Sequence, residues 1–309
     1  MASPGPNLST KAKRLEKLQA ALARTAGEIS RLLDELQPAV VPDAGRVVEA
    51  MRYGALNGGK RLRPFLTVES ARLFDVPEPN ALRAGTAVEM IHCYSLIHDD
   101  LPAMDDSELR RGQPTVHVAF DEAVAVLAGD GLLTEAFGVL ADPATHDDPA
   151  VRAELVAGLA TAAGASGMVG GQMIDMSPER ESLDLEGIKQ LQSLKTGALI
   201  TFSCEAGAIL GRANAAQRAA LVGYAQDLGL AFQIVDDLLD AEGTAEELGK
   251  PTGQDAAMGK ATFVGLLGIE GARAEAERIV AQAHARLDLF GASAELLRDA
   301  ATFVLKRRS

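Results

Sequence analysis

Residues 90–106 constrain the fold more than any other stretch, because they join two segments with opposite demands. Met90-Ile91-His92-Cys93-Tyr94-Ser95-Leu96-Ile97 is largely apolar and must find cover. It runs directly into Asp99, Asp100, Asp105 and Asp106, four carboxylates within eight residues. Unpaired anions at the end of an apolar helix repel one another and raise their own pKa values. A hard cation resolves that conflict, since Mg²⁺ takes oxygen ligands and is commonly held by a few carboxylates together with substrate phosphates. In an unbroken helix Asp99 and Asp105 would stand about 9 Å apart along the axis. Pro102 interrupts the ladder, so the chain can bulge and bring Asp105 back beside Asp99. The pattern predicts a metal–diphosphate site at the mouth of a helical cavity.

The 309 residues could hold about two domains, but the long periodic segments all repeat at helical spacing. The expectation is an all-α single domain over residues 1–309, with residues 1–7 a loose tail. A chain that is 47% hydrophobic yet only 4% aromatic, with no Trp, must build its core from Ala, Leu, Val and Ile. A net charge of −13 argues against nucleic acid or an anionic membrane surface as main partner. An anionic substrate would need local cations and bound metal. Cys93 and Cys204 both sit in apolar helical context and imply no disulfide framework. With no signal architecture and no apolar run near the ~18 residues of a membrane span, the expectation is a cytoplasmic protein without stable membrane insertion.

Along the chain, leucines from Leu8 to Leu36 recur at helical spacing until Pro38. Asp43 is a candidate N-cap for the next helix. Gly58-Gly59-Lys60-Arg61-Leu62-Arg63 reads as a loop, with Pro64 at the first position of a helix to Phe74. Further helices are predicted over 81–100, 121–141, 150–169, 184–210 and 215–240, the last capped by Asn214. Lys195-Thr196-Gly197 falls inside the 184–210 segment, residues 243–253 read as a polar loop, and shorter helices complete the chain. No strand alternation is evident, so the chain should form about ten or more helices around a central cavity.

A second acidic motif, Asp236-Asp237-Leu238-Leu239-Asp240, also closes an apolar helix. Asp236 and Asp240, four residues apart, share a helical face. Alone the motif could be a solvated helix end. Paired with the first, it suggests two helices presenting carboxylates to one ligand, as helical bundles do when they build metal sites in their cores. Lys60, Arg61 and Arg63 follow two glycines that let backbone approach a phosphate closely. Arg110 and Arg111 follow the first acidic stretch, and Lys195, Lys250 and Lys260 are isolated cations in apolar or Gly-rich surroundings. Arg grips diphosphate oxygens with a planar fork, whereas Lys supplies a point charge. His92 and Gln233 are equally compatible with ordinary packing.

These pieces together resemble the trans-isoprenyl diphosphate synthase family, most closely its bacterial farnesyl diphosphate synthases. The matching motifs are Gly58 to Pro64, Glu89 to Asp106, Leu109-Arg110-Arg111-Gly112, Gly170-Gly171-Gln172, Lys195-Thr196-Gly197, Phe232 to Asp240 and Leu248-Gly249-Lys250, in the family's order. Ser107 and Glu108 depart from a longer acidic run common in relatives, while Asp105 is intact. The resemblance implies the isoprenoid synthase fold, a homodimer, and three Mg²⁺ ions with substrate bound. Asp99, Asp100 and Asp105 would form one metal jaw, and Asp236 with Asp240 the other. Gly59, Lys60, Arg63, His92 and Arg111 would bind isopentenyl diphosphate; Arg110, Lys195, Lys250 and Lys260 would serve the diphosphate groups. Thr196 and Gln233, with Lys195, would sit near the developing cation.

The implied reaction is a head-to-tail condensation of isopentenyl diphosphate with dimethylallyl or geranyl diphosphate through an allylic carbocation. Tyr94, about 7 Å before Asp99 along a helix, could floor the cavity, with Ser95 beside it. An aromatic there, together with the Pro102-Ala103 insertion, resembles the bacterial enzymes that make the fifteen-carbon product. Farnesyl diphosphate is therefore the expected product, with geranylgeranyl diphosphate next. A terpene cyclase, a non-catalytic helical partner subunit of a prenyl synthase and a plain helical scaffold are the competing readings.

Overall fold

The computed structural model describes residues 8–39, 45–177, 183–242 and 262–306. Asp43, Lys250, Lys260 and the 243–253 segment lie outside the described residues. Helices dominate: α1 (Leu8–Glu35), α2 (Gly45–Leu56), α3 (Leu62–Arg72), α4 (Glu78–Asp99), the short α5 (Val116–Ala119), α6 (Glu122–Ala141) and α7 (Pro149–Ala163). They continue as α8 (Met168–Asp175), α9 (Leu185–Gln192), α10 (Ala198–Leu210), α11 (Ala215–Glu242), α12 (Phe263–Arg286) and α13 (Glu295–Lys306). The fold is all-α, as the periodicity predicts.

Local chemistry sets many of the starts. Asp121 accepts a hydrogen bond from the Val124 amide at α6, and Asp184 accepts one from Gly187 at α9. Asp148 caps α7 and Pro149 occupies its first position, where a missing N–H costs nothing. Asn214 and Gln217 exchange side-chain and backbone hydrogen bonds at 3.0 and 3.1 Å, a capping box that opens α11.

Helices α3 and α10 divide the interior into two apolar cores. Val68 and Ala71 of α3 and Phe202 and Ile209 of α10 face a core shared with α2, α4, α6 and α7. Phe65 and Leu66, with Cys204 and Ala208, face a second core filled by α11, α12 and α13. The two dividing helices touch closely. A Cβ on Gly207 would lie 2.5 Å from the Ala71 backbone nitrogen, so only glycine permits this crossing. Cys93 and Cys204 are buried apart as free thiols, both pushed up to about 12 by burial.

Four features depart from expectation. The 184–210 helix is interrupted by a π-turn at Ser193–Gly197, which places Lys195-Thr196 at a widened turn. The 150–169 helix stops at Ala163, and α8 starts anew at Met168 after a glycine-bearing turn. Residues Leu109–Arg110 and Gln113–Pro114 form a two-stranded antiparallel hairpin, too short to leave an alternation pattern. Finally, Glu122–Ala141 and Pro149–Asp175 are long and apolar enough, by length and composition, to pass as membrane spans. That corrects the expectation that no such stretch exists. Both pack as parts of this bundle: α6 lies against α2 and α4, and α7 against α10.

Replacing Gly207 with Val should force α3 and α10 apart and destabilise the protein by about 1–3 kcal/mol or more, the usual cost of overpacking. Chemical denaturation monitored by circular dichroism checks this, and an unchanged midpoint would mean the crossing can open freely.

Candidate active site

The loop after α4 folds back as the position of Pro102 predicts. The Asp105 amide donates to the Asp99 carbonyl at 2.8 Å, and the Asp106 and Ser107 amides bond to the Leu101 and Asp100 carbonyls. The two outer aspartates of the motif are therefore neighbours. Asp99 is pushed up to about 6, mainly by burial; Lys195 opposes the shift and Asp105 adds to it. Asp100 has a different environment. Its carboxylate, almost fully buried, is gripped by the Arg110 guanidinium through three contacts of 2.7–2.9 Å. Sequence expects it as a metal ligand; in the structure it pairs with Arg110 and does not line the cavity that Asp99 borders.

A cavity of about 400 Å³ opens beneath Asp99. Arg63, His92, Tyr94 and Ser95 line one side, α8 lines another through Met168, Gln172 and Met173, and Lys195 and Thr196 border it from the π-turn. Gly171 explains the glycine pair in this region. A Cβ there would fall 2.2 Å from the Lys195 amide nitrogen, so α8 can press directly on the π-turn. The contact brings Asp175 Oδ2 within 2.5 Å of Lys195 Nζ. Sequence reasoning did not single out Asp175; its place three residues after Gln172, one helical turn on, was the available signal. Lower down, Tyr94 is 6% exposed. Its ring meets His98 edge-on at 5.7 Å, and His98 Nε2 contacts the Val126 carbonyl at 3.0 Å.

The basic side is built from strained backbone. Gly58, Gly59 and Arg61 have φ of 74°, 123° and 48°. The Arg111 guanidinium lies 2.8 Å from where a Gly59 Cβ would stand, and it donates to the Asn57 and Gly58 carbonyls. Positive φ at both Arg111 and Gly112 makes the tight turn of the small hairpin. Burial, then Arg63 and Arg111, hold His92 well below its ordinary pKa, so it is neutral at pH 7. Arg63 Nε is buried without an acceptor among the described residues. Arg61 points elsewhere, into an ion pair with Glu89. Lys60 is exposed and lines a separate apolar pocket of about 290 Å³ between α1 and α13, away from the cavity that Asp99 borders.

Asp236, Asp237 and Asp240 lie near the end of α11. Asp237 Oδ2 accepts from the Phe263 amide at 2.7 Å and fastens the start of α12, while Asp240 is buried. Gln233 lies on the same helix one turn earlier and is half-buried. Among the described residues, no three His, Cys, Asp or Glu side chains are grouped closely enough to hold a metal by themselves. Asp99, half-buried at the cavity with Asp105 folded back beside it, suits a hard ion completed by phosphate oxygens and water.

Fold and site together define a class: an all-helical protein that places carboxylates and guanidinium groups above a largely apolar pocket. The Polyprenyl synthetase family model matches residues 45–291, and the chain belongs to that family. It is 44% identical to farnesyl diphosphate synthase of Escherichia coli (strain K12) over 278 residues, 88% of this chain and 90% of that one. It is 42% identical to geranylgeranyl pyrophosphate synthase 9 of Arabidopsis thaliana, over 86% of this chain and 74% of that one. The crystal structure of an FPP/GFPP synthase from Zymomonas mobilis superposes with a TM-score of 0.85 at 49% identity, covering 94% and 99% of the two chains.

The raised Asp99 pKa has a consequence for stability. Between about pH 4, the ordinary Asp value, and about pH 6, the folded chain keeps a proton that the unfolded chain has released. Folding stability therefore falls as pH rises through that window, and the loss is complete above it. Asp99→Asn removes the penalty. In metal-free buffer the variant should melt higher than the parent at pH 7.5, with the gap closing towards pH 4. Scanning calorimetry across this range checks it; equal melting points at pH 7.5 would contradict the assignment.

Proposed function

We propose that this chain is a trans-prenyltransferase that condenses isopentenyl diphosphate with dimethylallyl and then geranyl diphosphate, releasing diphosphate and forming farnesyl diphosphate. The observation that carries the reading is the cavity lined by Asp99, Lys195, Arg63 and Tyr94, in a chain closely similar to synthases of that name. Asp99 and Asp105 would hold two Mg²⁺ ions, and Asp236 with Asp240 a third. When bound, the ions supply positive charge that weakens the allylic C–O bond of the diphosphate ester.

The side chains do the rest. Lys195, fixed by Asp175, and Arg110, fixed by Asp100, place positive charge where the leaving diphosphate gathers negative charge. Arg63, Arg111 and neutral His92 hold the second diphosphate so that its terminal alkene faces the allylic carbon. Glycine at 59 leaves the room that the Arg111 fork occupies. Thr196 and Gln233 offer oxygen dipoles near the developing cation. The methionine-lined pocket excludes water, which would quench that cation to an alcohol. A C–C bond forms as the C–O bond is lost, and the departing proton passes to the released diphosphate. Lys250 and Lys260 complete the cation set in this reading.

Tyr94, backed by His98, is proposed as the floor that stops growth at fifteen carbons, with Ser95 beside it. Geranylgeranyl diphosphate is the second reading, and the methionines that line the cavity with Tyr94 support it, since flexible thioethers adapt to a longer tail. We further propose a single domain, a cytoplasmic location and a homodimer. The dimer is supported by the exposed Val126 and Leu127 on α6.

Product chromatography with Mg²⁺, dimethylallyl diphosphate and isopentenyl diphosphate tests the reaction. Mainly fifteen-carbon product is expected, abolished by a chelator, and Tyr94→Ala should shift products to twenty carbons or more. Consumption of allylic diphosphate alone would indicate a cyclase, and silence relieved by an added subunit would indicate a non-catalytic partner. Sedimentation should give twice the chain's mass, and Leu127→Lys should halve it.

A further inference from the structure

The turn from Gly58 to Arg63 contains a residue that its own chemistry does not favour. Three of its first four residues have positive φ, and one of them, Arg61, is not glycine. A buried non-glycine residue in the left-handed region persists only where the surroundings over-determine it. Here they do. Arg61 Nη1 donates to Glu89 Oε1 at 2.8 Å, and Nη2 donates to the Ala55 carbonyl at 2.6 Å. The side chains of the pair are 1% and 3% exposed. One guanidinium thus ties the last turn of α2 to the middle of α4, and the strained turn hangs between them.

Everything the turn presents depends on that anchor. Gly59, under the Arg111 guanidinium, comes two residues before Arg61. Arg63, whose Nε lacks an acceptor among the described residues, comes two residues after. Arg61 itself is the residue from which α3 starts, so its backbone sets the direction of the first α3 amides. Glu89 stands one turn before His92 on α4, and its charge acts on both Arg61 and Arg63; Arg110 is matched by Asp100.

We propose that the Arg61–Glu89 ion pair is a positioning device for the isopentenyl diphosphate end of the site. It aims Arg63 and Arg111 at the diphosphate without touching it. The proposal rests on the prenyltransferase reading above. A buried pair is a poor source of net stability, because desolvation consumes much of the attraction; its use lies in specifying one geometry. That separates the pair from plain scaffolding, which would weaken both substrates alike.

Steady-state kinetics with each substrate varied in turn test this. Glu89→Gln keeps the shape and loses the charge; Arg61→Met with Glu89→Leu replaces the pair by apolar groups without orphaning either partner. Both should raise KM for isopentenyl diphosphate about tenfold or more, while KM for the allylic diphosphate stays within about twofold. Arg61→Lys, which retains charge but not the two-way fork, should fall between these and the parent. Helical circular dichroism and melting curves accompany each variant. An unchanged isopentenyl KM, a parallel rise for both substrates, or loss of helical signal in all three variants would overturn the proposal. Failure of the parent to condense the substrates would instead overturn the functional reading, so the two failures are distinguishable.

Discussion

Charge held at the edge of an apolar cavity is the constraint on which this structure depends. Asp99 sits half-buried at the cavity, where charge is costly, and the fold surrounds it with charged neighbours. Lys195 lies close enough to lower its pKa, and Asp105 is folded back beside it, which raises it. The same logic recurs on each wall. Asp100 is matched by Arg110, Asp175 by Lys195, and Arg61 by Glu89. Each pairing fixes the direction of a charged side chain near the pocket, which Asp99, Arg63 and Lys195 line. An acidic chain can hold an anion under these conditions because the field at the pocket is set locally, whatever the net charge of −13 suggests at long range.

Much of this was legible from residue order, and the reasons are local. The fold-back at Pro102 involves residues six apart, so spacing and proline stiffness suffice to predict it. The helices announce themselves by period, and the α11 start by Asn214 as its cap. What escaped notice depends on contacts distant in sequence. Arg61 finds Glu89 across 28 positions, and Lys195 finds Asp175 across 20, with no local pattern to mark either. The sequence shows Lys60 beside Arg63 but not that the left-handed turn between them sends the two side chains to different pockets. The π-turn was hidden because apolar residues keep recurring through it, and one extra residue in a turn barely disturbs a hydrophobic period.

The two cores also bear on how the site is held. Helices α3 and α10 separate them, and each contributes to the pocket: Arg63 from the first turn of α3, and Lys195 and Thr196 from the π-turn that leads into α10. The close crossing at Gly207 and Ala71 fixes one relative to the other. The residues that meet an anion are themselves half-buried, but they are carried by helices that pack into both cores, where packing leaves few alternative arrangements.

The π-turn at Ser193–Gly197 carries one further implication. A π-turn is a helix with one residue more than its pitch requires. Everything after it is out of phase with everything before it by about 100°, the angle that a single residue adds. Shortening the chain by one position there would give a more regular helix and an ordinary hydrogen-bond ladder. It would also rotate Lys195 and Thr196 relative to α9, or the whole of α10 relative to both cores. The register of this bundle is thus tied to the site's geometry: at this turn, a change in chain length is a change in direction.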